Sequence, residues 1–125
     1  MKLIQWIKFD ITVLQGIVEL PSYARLADKL LSAGERRELV DYLAQSPKSG
    51  DIMEGTGGVR KLRWRRGGKG KSGGVRVIYY YHDDLMPLYL LTLFSKGDKA
   101  NLTQAERNEL ACLVDILVSL WKERT

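Results

Sequence analysis

From Val59 to Arg65 the chain alternates, with Lys61, Arg63 and Arg65 on one side of an extended segment and Leu62 and Trp64 on the other. That period of two predicts a strand. Val75 to Tyr81 is rich in β-branched and aromatic residues and predicts its hairpin partner. Residues 82–85 turn the chain, and Leu88 to Phe94, nearly all apolar, suits a strand covered on both faces. A first strand is expected near Val13 to Leu20, and the first 14 residues read as either an extended lead-in or an appendage outside the core.

Elsewhere the period lengthens to that of a helix. Tyr23 to Leu31 predicts one, with Pro21 before it and Ser22 as N-cap. A second runs from Ala33 to Ser46, with Ser32 and Glu35 as a capping box and Leu39, Tyr42 and Leu43 on its buried face. Pro47 and Gly50 end it. Near the C-terminus Thr103 and Glu106 form another capping box, ahead of a stripe of Leu110, Leu113, Val114, Leu117 and Trp121. Helices, then strands, then a helix predict an α+β fold. The expected form is an antiparallel, mixed-edge sheet of about four strands with two N-terminal helices and one C-terminal helix packed on it.

At 125 residues the chain has room for one domain, 1–125. The lone Cys112 rules out an internal disulfide and falls in an apolar helical stretch, where a buried inert thiol is expected. With one cysteine and one histidine, His82, no zinc cluster of the usual spacing can form, and no metal or cofactor is expected. The start breaks its apolar run with Lys8 and Asp10, and Leu85 to Ser95 is too short to span a bilayer. A soluble, cytoplasmic protein with no membrane partner is expected.

Charge changes the picture more than composition does. No acid occurs between Glu54 and Asp83, yet eight of the 20 bases do: Arg60, Lys61, Arg63, Arg65, Arg66, Lys69, Lys71 and Arg76. The rest of the chain carries 12 bases against 15 acids. The net +5 is therefore a local patch on a weakly acidic body, the kind that attracts polyanions.

The loop inside that patch, Gly68-Lys-Gly70-Lys-Ser-Gly73, matches G-x-G-x-x-G in form only. A strand follows it instead of a helix, so no helix N-terminus faces a pyrophosphate. The kinase version lacks its catalytic-loop and metal-binding partners, and the P-loop version has Arg65 where its first glycine belongs.

Lys61, Arg63 and Arg65 share a strand face, Arg76 lies on the partner strand, and Phe94 and Lys96 are again two apart. If the strands are neighbours these cations converge, with Trp64, Tyr79, Tyr80, Tyr81 and Phe94 interleaved. Cations grip phosphate and aromatic rings stack on unpaired bases, which favours single-stranded RNA over duplex DNA. RNA also carries its own nucleophile, the 2′-hydroxyl. Arginines can clamp the charge that develops at phosphorus, and a lysine among other cations, its pKa pushed down, can transfer protons. Such a site needs neither histidine nor metal, though it should be slow on its own.

Three segments carry a resemblance: Gly57 to Arg63, Gly74 to Tyr80, and Leu90 to Lys96, with the Ser46 to Asp51 segment and the paired helices. In order and spacing they resemble the RelE/HigB superfamily of type II toxins, particularly its HigB2-like branch. The likeness runs from about Ile17 to the end and leaves 1–14 outside the family core. It implies a ribosome-dependent mRNA endoribonuclease, an mRNA interferase that inhibits translation, whose partners are mRNA on the ribosome and a cognate helix-turn-helix antitoxin. The family's catalytic positions fall on Lys61, Arg63, Arg76 and Lys96. Arg60, Arg65, Lys69, Lys71 and Phe94 are the RNA-binding candidates. Phe94 stands where many members have tyrosine, which implies stacking in place of a phenolic acid–base role. Three other readings compete: a non-catalytic RNA- or ribosome-binding module, an adaptor whose basic loop docks an acidic partner, and a solvated hairpin tip.

Overall fold

The segments with the clearest alternation form the middle of the sheet. In a computed structural model, residues 16–65, 74–97, 99 and 101–124 are described. The elements, in chain order, are β1 (Ile17–Glu19), α1 (Pro21–Leu30), α2 (Ala33–Gln45), β2 (Asp51–Ile52), β3 (Val59–Trp64), β4 (Val75–Tyr80), β5 (Leu88–Ser95) and α3 (Gln104–Arg124). Five strands lie in the order β1-β5-β4-β3-β2. β1 pairs parallel to β5 and every other pair is antiparallel. The fold is α+β, with the mixed edge expected and one strand more, the two-residue β2. Expectations for residues 1–14, and for Lys69 and Lys71, lie outside the described residues.

The two faces of the sheet carry different helices. One face presents Val75, Val77, Tyr79, Leu90 and Leu93 to α1 and α2, which bring Tyr23, Ala27, Leu39 and Leu43. The other presents Val59, Ile78, Tyr80 and Leu91 to α3, where the expected stripe of Leu110, Leu113, Val114, Leu117 and Trp121 packs down. Both predicted capping boxes form: Ser32 and Glu35 exchange hydrogen bonds at the start of α2, and Thr103 and Glu106 do so before α3. Each satisfies two backbone N–H groups that a helix leaves open at its first turn.

Three sequence expectations need correction. Ser22 does not cap α1: the helix starts at Pro21, whose missing N–H costs nothing in the first turn. The Ser22 hydroxyl instead donates to the Leu91 carbonyl at 2.6 Å and fastens α1 to β5. Tyr42, assigned to the buried face of α2, is 41% exposed while Leu39 and Leu43 are fully buried; its ring leans on Trp64. Cys112 is exposed, because it lies off the stripe by which α3 meets the sheet.

Tyr79 ties the segment after α2 to the sheet. Its hydroxyl accepts from the Gly50 N–H and donates to the Pro47 carbonyl, both at 2.8 Å. Burial raises its pKa, so the phenol stays protonated and able to donate. Phenylalanine in its place leaves two backbone groups without partners, which costs roughly 1–3 kcal/mol. The Tyr79→Phe variant is therefore expected to unfold at lower urea concentration with an unchanged slope; an unshifted midpoint rules the tether out as a stabilising element.

Candidate nucleic-acid interface

The β3–β4–β5 register decides which cations meet. Arg63 lies directly opposite Arg76, and Arg76 opposite Phe94, so the three form one row across three strands. The next row is Lys61, Ile78 and Thr92. Because Ile78 and Phe94 pack on the α3 side, strand alternation places Lys61, Arg63 and Arg76 on that side too, at the end α3 leaves uncovered. Arg63 is exposed, and Lys61 and Arg76 are half-buried.

Directly opposed residues in an antiparallel pair stand about 4.5–5.5 Å apart at Cβ, and like charges there destabilise the sheet. Neither Arg63 nor Arg76 has a hydrogen bond or ion pair to its side chain among the described residues. A cross-strand arginine pair with no acidic partner among the described residues is a site that an anion stabilises.

The segment after β5 folds over this row and brings residues that strand spacing did not single out. Lys61 donates through Nζ to Asn101 Oδ1 at 3.2 Å. Lys99 sits 5.7 Å from the centre of the Phe94 ring, within cation–π reach, and also hydrogen-bonds Glu106. Glu106 is held below the usual carboxylate range, chiefly by that Lys99 hydrogen bond and then by the Thr103 N–H. Only the folded loop sets Asn101 beside Lys61, 40 positions away; no local spacing signals it.

Lys96 is exposed just past β5, and its N–H donates to the Gly74 carbonyl at 3.3 Å. That bond carries the β4–β5 register one step further, so Lys96 stands beside the residue two before Arg76. Arg65 is exposed directly after β3. Arg60 does not join the group. It alternates to the opposite face, where its Nη1 donates to the Lys48 and Gly50 carbonyls.

The interleaved aromatics are also redistributed. Trp64 and Tyr79 pack against α1 and α2, Tyr80 is buried under α3, and the Tyr81 hydroxyl donates to Asp84. Of the five rings expected among the cations, only Phe94 stands in their row, because alternation and turn chemistry take the others elsewhere. Among the described residues, no group of three or more His, Cys, Asp or Glu side chains could hold a metal ion, and no helix is long and apolar enough to cross a membrane.

A model of the RelE toxin of the RelE/RelB toxin–antitoxin system matches residues 25–124. The chain belongs to the RelE toxin family. Every cation in the Arg63–Arg76 neighbourhood falls inside the matched span, as do α2, β3–β5, α3 and all but the first turn of α1. RelE family membership gives the protein a role as the toxin of a toxin–antitoxin system, and with it an antitoxin as partner. The resemblance seen in the three β-segments and the match over most of the chain point the same way.

Proposed function

We propose that this RelE family toxin is an mRNA endoribonuclease that acts on the ribosome and stops translation by cutting messages there. The observation that carries the reading is the Arg63–Arg76 pair, opposed across β3 and β4 without an acidic partner among the described residues. A scissile phosphate seated on the pair relieves their repulsion and receives charge-assisted hydrogen bonds from both guanidinium groups.

In this reading the 2′-hydroxyl attacks the adjacent phosphorus in line, the bond to the 5′-oxygen breaks, and a 2′,3′-cyclic phosphate forms on the upstream fragment. The 2′-hydroxyl proton leaves to the site and a proton reaches the departing 5′-oxygen. Arg63 and Arg76 hold the non-bridging oxygens as negative charge builds on them. Lys61 and Lys96 flank the linkage as proton-handling groups, with Asn101 setting the position of the Lys61 ammonium. Phe94 offers a ring face to a neighbouring base. Arg65 extends the cationic track, and the antitoxin, a helix-turn-helix protein encoded alongside, silences the site.

Mapping RNA 5′ ends in cells expressing the toxin tests this. Discrete cuts inside translated codons, absent without expression and suppressed by the antitoxin, are expected. Salt-sensitive RNA crosslinks with no cuts at all reduce the protein to a non-catalytic RNA- or ribosome-binding module.

A further inference from the structure

β5 is longer than the strand at its outer edge. β1 pairs with it only from Leu88 to Leu90, while β4 follows it to Ser95. Past Leu90, among the described residues, that edge has no strand beside it. The Ser22 hydroxyl takes the Leu91 carbonyl, and Leu93 comes next. Lys96 donates to the Gly74 carbonyl, which makes Phe94 and Arg76 a hydrogen-bonded pair of the ladder and Leu93 and Val77 a non-bonded one. The Leu93 N–H and C=O therefore point outward, and nothing among the described residues meets them there. Leu93 is 1% exposed, too little for solvent to serve them. Buried backbone groups are nearly always paired, so this edge calls for one more strand.

A groove of about 510 Å³ runs along the same edge. Its α1 wall carries Leu26 and Leu30, and its other wall, from the loop before α3, carries Lys99 and Glu106 beside Leu102. Glu109 continues that second wall in an adjoining hollow that shares Leu102 and Glu106. A strand laid in the groove sends alternate side chains to the two walls. It needs apolar residues for α1 and polar or charged ones for the other side.

The chain holds that pattern ahead of β1 and outside the span matched by the family: Ile7, Phe9, Ile11 and Val13 alternate with Lys8, Asp10 and Thr12. Lys8 and Asp10 carry the signs that Glu109 and Lys99 oppose. The attachment point is close, because the Gly16 carbonyl accepts from the Leu88 N–H at 2.8 Å. From Leu88 to Leu93 is a distance of about 17 Å along β5, and the stretch from Gly16 back to Phe9 spans up to about 23 Å. A chain that turns at Gly16 runs antiparallel to β1 and hence to β5. Directly opposed residues share a face, and Leu93 turns its side chain toward α1. We propose that residues 7–13 dock in this groove as an added strand, with Phe9 opposite Leu93 and the apolar set against Leu26 and Leu30. The docked segment closes the open sheet edge beside Phe94 and Lys99, one residue from the cationic row.

The test follows amide hydrogen exchange residue by residue in NMR spectra of the full-length protein. It compares wild type with a Phe9→Asp/Ile11→Asp variant and a conservative Phe9→Leu/Ile11→Val variant. In wild type the Phe9 and Leu93 amides should both be protected, with cross-peaks between the Phe9 ring and the methyl groups of Leu26 or Leu30. The aspartate variant should lose those cross-peaks and speed exchange at Leu93 about tenfold or more, while α2 and β4 keep their rates and so report an intact fold. The conservative variant should protect Leu93 as wild type does. Free exchange at Phe9 in wild type, missing cross-peaks, or a Leu93 amide indifferent to the aspartates overturns the docking. Protection that grows with protein concentration assigns the groove to a second copy of the chain and overturns it as well.

Discussion

Arg76→Ala is expected to abolish growth arrest on expression and to lower cut frequency about 100- to 1000-fold, the usual cost of removing a group that stabilises charge in a transition state. Arg76 is central because it has two neighbours in one row: Arg63 on β3 and Phe94 on β5. The alanine variant keeps the strand, since among the described residues the Arg76 side chain has no partner to lose. It also relieves Arg63 of an opposed like charge. The melting temperature should therefore stay level or rise slightly while activity disappears. That pairing of outcomes separates a functional arginine from a structural one. Unchanged cutting, or a melting temperature lowered by several degrees, would falsify the assignment. Arg60→Ala makes the contrast: its guanidinium bonds to two backbone carbonyls, so its loss should register as reduced stability.

The largest stability effect is expected from Leu90→Ala. Leu90 is fully buried, and it holds a three-way position, pairing with Glu19 of β1 on one side and Tyr79 of β4 on the other. Its carbonyl accepts from the Leu20 N–H at 3.0 Å, where β1 hands over to α1. Removing the side chain opens a cavity between the sheet and α1, with a typical penalty of about 2–5 kcal/mol. Against a total stability of roughly 5–15 kcal/mol for a domain of this kind, that is a large fraction. Urea unfolding should show a strongly lowered midpoint with a similar slope. A shift equivalent to less than about 1 kcal/mol contradicts a close-packed centre at β5.

Much of this molecule is legible from periodicity. Lys61 and Arg63 alternate against Leu62 and Trp64, and both capping boxes mark their helices; these depend on neighbours a few positions apart. What escapes the sequence depends on contacts made only on folding. β2 is two residues long and has no period to detect. Ser22 looks like a cap because serine usually is one, but Pro21 already opens the helix and the hydroxyl finds a sheet carbonyl. Tyr79 and Tyr80 are adjacent and look like one aromatic patch, yet alternation sends them into different cores. A bulge where Ile78 pairs with Thr92 and Tyr79 with Leu90 resets the facing of β5 by one residue. Composition reveals none of these. The cationic row itself was readable as a group of candidates, while Asn101 and Lys99 reach it only through the loop that follows β5.

The parallel pairing of β1 with β5 has a temporal consequence. Ile17 meets Leu88, so β1 finds its neighbour only after the intervening helices and strands have been synthesised. Such distant pairings slow folding, because a long loop must close before any contact rewards it. The cover for the second face comes later still, in α3, which follows β5. A ribosome making this toxin thus carries a half-covered sheet until Gln104–Arg124 have emerged, and the cationic row takes shape only once β5 has joined β4.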